Sequence, residues 1–317
     1  MQHLGYNRFE LKPGQWTDDA SMALCLADSL LVHKGLNPRD LRLRFLNWWQ
    51  FGLNNAFAHD KDREGSVGLG GNIGASMREF VAKETEFTGS GDRSTSGNGS
   101  LMRLAPLPVF YASNRELALA MAHAQSKTTH QGDEAAECCR LLAHIIVAAI
   151  NALERDPAAV KRAVMSDVAG AGFQSDVYSV TCLAASMCEE KHPSNLGVDL
   201  ANRRWDWKNG AFRYSEERAE AQPGYIGSYS MDGLCMALHC VWSCNSLEAA
   251  MLKAANMRGD ADTVCAITGQ LGGAIYGASA LPADWLAAVH RWDPDDSIPL
   301  RAFKLFHEGA AAAADAV

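Results

Sequence analysis

At 317 residues the chain has room for one large domain or two ordinary ones. Hydrophobic residues make up 48% and charged residues 21%, the balance of a soluble globular protein. A net charge of −8 and a pI near 5.7 argue against a general nucleic-acid surface or a polybasic membrane surface. They leave an anionic substrate open, because a bound divalent cation reverses the local field.

In chain order, residues 18–33 place Met22, Leu26 and Leu30 on one face at four-residue steps and predict a helix. The same periodicity predicts helices over 115–126, 133–153, 176–190, 230–243, 246–257 and 263–280. Three stretches resist it: the glycine-rich 59–75, the Gly/Ser/Thr-rich 88–100, and 191–229, which is polar with scattered aromatics. In a helical domain, long connections of this kind are often functional loops. Alternating runs are few, so the fold class expected is all-α, a single compact bundle of more than four helices across residues 1–317. The alanine-rich tail from Gly309 is expected to fray.

The longest apolar stretch, Leu141 to Ile150, contains His144 and is too short for a bilayer. The first residues lack the apolar core of a signal peptide. Nine cysteines without a CxxC pair fall mostly in apolar helical stretches, which predicts reduced, buried thiols and argues against zinc. A cytoplasmic monomer with no membrane partner is the expectation.

Chemistry concentrates at two helix starts. Thr17-Asp18-Asp19 opens the first helix, with Thr17 suited to the cap. Alone this reads as an acidic first turn, favoured by the backbone amides there. Asp260-Ala261-Asp262-Thr263 then opens another apolar helix near the far end of the chain. Oxygen-only donors of this kind suit hard cations such as Mg²⁺, Ca²⁺ or Mn²⁺. If the two turns face each other, their carboxylates repel unless a cation holds them. The glycines at 269, 272, 273 and 277 predict close helix packing that brings the second turn into the middle of the bundle.

The run GSVGLGGNIGAS (65–76) lacks both the spacing and the preceding strand of a dinucleotide fingerprint. Ser96-Gly97-Asn98-Gly99-Ser100 reads either as an ordinary turn or as a cradle whose backbone approaches a diphosphate. Arg103 is placed to contact phosphate or to make a structural ion pair.

The ordered blocks WTDDASMALCLADSL, SGNGSLMRLAP, SKTTH and GDADTVCAITGQLGGAIYG, from about residue 10 to 280, resemble the ADP-ribosylglycohydrolase family. The resemblance implies an all-α orthogonal multi-helix bundle with a two-metal centre between helix N-termini. It implies hydrolysis of ADP-ribose from modified proteins with two divalent cations, Mg²⁺ or Mn²⁺. Thr17, Asp18, Asp19, Asp260, Asp262 and Thr263 are then the metal ligands, with Asp262 bridging. Asp18, Asp19 and Asp262 serve catalysis through the metals, and Asp92 is the candidate general acid. Gly70, Gly71 and Asn72 line the entrance to the scissile bond, and Asn98, Gly99, Ser100, Arg103 and His130 bind ADP-ribose. Tyr225 stacks on adenine or packs beneath its loop.

Two departures accompany the resemblance. The family's glycine-containing first helix, with its GDALG-like motif ahead of TDD, is absent from this sequence, and Ala20 stands where threonine often follows TDD. Arginine linkage is the leading expectation, because the motifs are more like the bacterial activating branch. Serine-, nucleic-acid- or small-molecule-linked ADP-ribose, another metal-dependent phosphate or nucleoside hydrolase, and a non-catalytic, crystallin-like member stay open.

Overall fold

A computed structural model describes residues 9–63, 65–92, 95–189, 203–212 and 226–314. Among the described residues the regular structure is helical, with isolated bridges only at Gly97–Tyr229 and Cys188–Arg204. The helices are α1 (Asp18–His33), α2 (Pro38–Phe51), α3 (Gly71–Lys83), α4 (Pro106–Phe110), α5 (Arg115–Lys127), α6 (Asp133–Ile150) and α7 (Pro157–Met165). They continue with α8 (Tyr178–Ala185), α9 (Ser230–Ser243), α10 (Leu247–Ala255), α11 (Ala261–Tyr276), α12 (Ala283–His290) and α13 (Ser297–Ala314).

Local chemistry explains several of these boundaries. Asn37 accepts from the Asp40 amide, Pro38 occupies the first turn, and Gly52 closes α2 at φ 75°. A side-chain cap with proline just inside the start and glycine just past the end is a strong helix signature. Asn114, Asp156 and Ser246 cap α5, α7 and α10 in the same way.

Three expectations need correction. The glycine-rich stretch expected as loop to residue 75 is already helix from Gly71, because Ile73, Met77 and Phe80 form a buried stripe at helical spacing. The helix expected to reach residue 190 stops at Ala185, where Ser186 takes a left-handed φ of 58° and the chain turns so that Cys188 can pair with Arg204. The tail does not begin to fray at Gly309. A Cβ there would lie 1.7 Å from the Phe110 carbonyl, so glycine is what lets α13 cross α4.

α6 forms the central beam, with thirteen buried residues, and packs on α5, α9 and α11. Burying a leucine such as Leu141 or Leu142 completely contributes about 2 kcal/mol each. α1 packs against α11, which puts the two acidic helix starts on the same side of the bundle. The glycines of α11 divide the work. A Cβ on Gly272 would lie 2.6 Å from Leu247 Cδ1, so this residue brings α11 close to α10. Gly269 and Gly273 instead line an apolar cavity of about 400 Å³ against Ile146, Ile150 and Phe306.

All nine cysteines are free and six are buried, as expected of reduced thiols. Among the described residues, no helix is long and apolar enough to cross a membrane.

Candidate active site

Asp18 and Asp19 begin α1 and are both buried, at 8% and 7% exposure. Thr17 does stand at the cap position, but its hydroxyl caps no amide. It donates to Asp19 Oδ2 at 2.7 Å and so fixes that carboxylate's rotamer. The other oxygen, Asp19 Oδ1, is buried without a hydrogen-bond partner. Against Asp18 lies the loop before α3. A Cβ on Gly68, at φ 95°, would fall 2.0 Å from Asp18 Oδ1, so only glycine admits this approach.

The second acidic turn reaches the same place. Gly259, at φ 66°, turns the chain into α11, and the Asp260 amide donates to the Ile226 carbonyl at 2.8 Å. Asn98 Nδ2 donates both to Asp260 Oδ2 at 2.6 Å and to the Gly227 carbonyl at 2.8 Å. Thr263 is buried at the start of α11 and lowers the carboxyls of both Asp19 and Asp260, so it lies between the two turns. Asp260 is half-buried and Asp262 exposed, so the cluster has a closed floor and an open rim.

The electrostatics follow from that placement. Burial, with the charge of Asp262 second, raises the Asp19 carboxyl to about 7. Burial raises Asp260 to about 6, against a lowering by the Asn98 amide, and drives Asp18 well above the usual carboxylate range, with Asp19 adding repulsion. Among the described residues, none of the four aspartates is ion-paired with lysine or arginine. Carboxylates packed this way need a shared proton or a cation between them. The donors are all hard oxygens, and Asp19 Oδ1 has an unmet demand, so the residues present fit a hard divalent cation in kind. As placed, no three His, Cys, Asp or Glu among the described residues converge closely enough to hold an ion.

The glycine-bracketed turn packs directly beside this cluster. Asn98–Ser100 form a short 3₁₀ turn, and a Cβ on Gly99 would press on Ile73 and His130 at 2.9 and 3.1 Å. Asn72, just after the exposed Gly70 and Gly71 that start α3, lies against Gly97, 3.0 Å from where a Cβ would be. Entrance and cradle are therefore adjacent. His130 is buried and hydrogen-bonded through Nδ1 to Thr129 at 2.8 Å, with its Nε2 toward Gly97 and Gly99. Burial, reinforced by Arg103, lowers its pKa to about 3, so the imidazole is neutral.

Two candidate ligand contacts sit elsewhere than a ligand could reach. Arg103 has no exposed surface. It donates to Gly99 O, to Gln125 O and Oε1, and to Thr128 and Thr129 hydroxyls, and stacks 4.5 Å over Phe45. The phosphate contact is corrected to a scaffold role: the fork clamps the turn from beneath. Ser100 is also fully buried and bonded to Ser126 at 2.7 Å. Asp92 stands exposed, its carboxylate accepting from Thr95 Oγ1 at 3.3 Å. Tyr225 lies outside the described residues.

The motifs gave no role to Gly68, which lies in a glycine run, or to Tyr229, which ends the stretch 222–229 that resembles a family loop near the ligand and here caps α9 and bridges to Gly97.

A family model described as ADP-ribosylglycohydrolase matches residues 1–312. The ADP-ribosylarginine hydrolase Tri1 of Pseudomonas putida (strain GB-1) is 29% identical over 286 residues, covering 90% of this chain and 65% of its own length. This chain thus spans just under two thirds of that relative. The ADP-ribosyl-[dinitrogen reductase] glycohydrolase of Rhodospirillum rubrum is 24% identical, covering 88% and 75%. A solved "ADP-ribosylglycohydrolase-related protein complex" superposes with a TM-score of 0.66 at 29% identity, covering 96% of this chain and 86% of that one. The chain belongs to the ADP-ribosylglycohydrolase family.

Proposed function

We propose that the chain is a hydrolase that releases ADP-ribose from modified proteins, cleaving the N-glycosidic bond to arginine with two divalent cations, Mg²⁺ or Mn²⁺. The observation that carries this reading is the meeting of two acidic helix starts, 18–19 and 260–263, where burial and then neighbouring carboxylate charge raise Asp18, Asp19 and Asp260, with no lysine or arginine paired to them among the described residues. The arginine preference is supported by the relative named as an ADP-ribosylarginine hydrolase, and action on a modified protein by the one named for ADP-ribosyl-[dinitrogen reductase].

Thr17, Asp18, Asp19, Asp260, Asp262 and Thr263 would hold the ions, and Asp262 is the exposed member of the set. When bound there, divalent cations would supply the positive charge that helps orient ribose hydroxyls and favours attack of water on the anomeric carbon. The rest falls to the chain's own groups. Thr17 and Asn98 hold the Asp19 and Asp260 carboxylates in fixed rotamers. Gly97 and Gly99 let Asn72, Ile73 and His130 pack onto the turn, half-buried Gly97 is its part nearest solvent for a diphosphate, and neutral His130 offers Nε2 beside them. Gly70, Gly71 and Asn72 form the approach to the bond that breaks. The departing nitrogen needs a proton, and exposed Asp92 is the residue assigned to supply it.

The test is release of ADP-ribose from arginine-modified and serine-modified protein, with Mg²⁺, Mn²⁺ or chelator, for the natural chain and Asp262→Ala. Release from the arginine substrate that chelator and substitution both abolish is expected. A folded protein that binds ADP-ribose yet releases none from either substrate is instead a non-catalytic member.

A further inference from the structure

We propose that Tyr229 is a positioning residue for the acidic centre, anchored by Glu134 and Arg203 so that the segment 226–230 holds Asn98 and Asp260 in register. This rests on the reading above that Asp260 belongs to the site.

The segment is a two-sided bracket. On one side the Asn98 amide donates to Ser228 O and the Ser230 amide to Ser96 O, both at 2.9 Å, with Gly97 bridging to Tyr229. On the other, the Asp260 amide donates to Ile226 O at 2.8 Å. Between them, Asn98 Nδ2 joins Gly227 O to Asp260 Oδ2. Asp260 therefore donates one bond from its amide to Ile226 O and accepts one at its carboxylate from Asn98, and both depend on where residues 226–228 lie. Gly227 sits at φ 89° with Val264 only 2.9 Å from a would-be Cβ, so the segment has little room to shift without shifting α11.

The side chain of Tyr229 fixes this bracket to the core. Its hydroxyl donates to Glu134 Oε2, at the start of α6, and accepts from Arg203 Nη1 at 3.1 Å. Arg203 pairs with Glu134 through Nη2 and with Glu189 through Nε at 3.0 Å, and lies over Trp205. Glu189 is held in turn by the indole of buried Trp205. Bonds to ionised partners are about twice as strong as neutral ones, and here the charges are mutually satisfied away from the acidic centre. Burial, and then the charge of Glu134, keep the phenol protonated and thus a donor. Among the described residues, no hydrogen bond or ion pair joins this cluster to the four aspartates. Its reach into the site runs through the backbone of 226–230.

The test is amide hydrogen exchange with cation binding, in the natural chain, Tyr229→Phe and Glu134→Gln. Phenylalanine keeps the ring and leaves the Arg203–Glu134 pair in place, so the fold survives. Exchange at the Asn98, Ser230 and Asp260 amides is expected to quicken about tenfold in Tyr229→Phe, while α5 and the middle of α6 stay protected. The Mn²⁺ dissociation constant is expected to rise about fivefold, and kcat to fall more than KM changes. Glutamine at 134 keeps one acceptor oxygen and the phenol keeps its bond from Arg203, so Glu134→Gln should lose less of this protection than Tyr229→Phe. Unaltered exchange at Asn98 and Asp260 in Tyr229→Phe overturns the proposal, whatever the activity. A natural chain that binds no Mn²⁺ and releases no ADP-ribose, yet shows the quickened exchange in Tyr229→Phe, overturns the functional reading and leaves the positioning role standing.

Discussion

Asn98 and Asp260, 162 residues apart in sequence, are joined by a 2.6 Å hydrogen bond from the Asn98 side-chain amide to the Asp260 carboxylate. The same amide also holds Gly227 O, so one nitrogen ties the glycine-bracketed turn to the second acidic helix start. Its donation lowers a carboxyl that burial raises.

Asn98→Ala should therefore act on the centre before it acts on the fold. Removing one partner of a buried hydrogen bond costs about 1–3 kcal/mol, and here Gly227 O and Asp260 both lose theirs. We expect ADP-ribose release to fall at least about a hundredfold, with urea denaturation showing a loss of about 2 kcal/mol. Asn98→Asp, which adds a carboxylate beside Asp260, should be worse for cation-free stability. Activity in Asn98→Ala within twofold of the natural chain contradicts this role.

The carboxylate cluster predicts an unusual pH dependence in the cation-free protein. Asp19 rises from an ordinary carboxyl value near 4 to about 7 on folding. Over that interval the folded state binds more protons than the unfolded one, so stability falls as pH rises from about 4 to about 7. Asp260, raised to about 6, adds in the same direction. Asp19→Asn removes the buried charge and should flatten this slope, stabilising the cation-free protein at pH 8 while weakening Mn²⁺ binding. Thermal melts in chelator from pH 5 to 8, with and without the substitution, check both signs. A natural chain in chelator whose stability rises over this range refutes the argument.

These particulars show what the sequence could and could not carry. Helix periodicity is a local signal, so α1, α5, α6, α9, α10 and α11 were legible to within a few residues of their ends. The repeated Thr/Asp turns marked the candidate centre because two identical chemistries at two helix starts are improbable by chance. Their meeting is non-local. It depends on α1 packing against α11, which no spacing within the chain encodes. Arg103 left two roles open in the sequence for the same reason. A basic residue after a glycine turn looks like a phosphate contact until Phe45, Gln125, Thr128 and Thr129, brought in from two other helices and a turn, are seen to consume it. The Glu134–Arg203–Tyr229 cluster was not legible as a unit, because its members come from three separate segments.

Arg103 is thus a place where the scaffold role and the phosphate role make opposite predictions. Arg103→Lys keeps the charge but loses the planar fork, leaving several buried acceptors without donors. We expect a stability loss of about 3 kcal/mol, visible as a lowered urea midpoint. Any protein that remains folded should keep its affinity for ADP-ribose within about threefold, since the side chain has no exposed surface. A variant of unchanged stability with much weakened ADP-ribose binding would instead restore the phosphate contact.

Gly68→Ala tests the approach to Asp18 from the entrance loop. The residue is at φ 95°, where a Cβ is strained, and that Cβ would lie 2.0 Å from Asp18 Oδ1. Either the loop must lift or the carboxylate must leave its rotamer, and Asp18 is buried on its other sides by α1. The loop is the softer element, being only partly buried and outside any helix, so it should lift. The global fold then loses only about 1–2 kcal/mol. The entrance formed by Gly70, Gly71 and Asn72 follows Gly68 directly and moves with it. KM for the modified protein should rise more than kcat falls, because substrate approach is altered while Asp19, Asp260 and Asp262 keep their places. Steady-state kinetics on the arginine-modified substrate read this split. A fall confined to kcat with weakened Mn²⁺ binding would mean that Asp18, rather than the loop, had yielded.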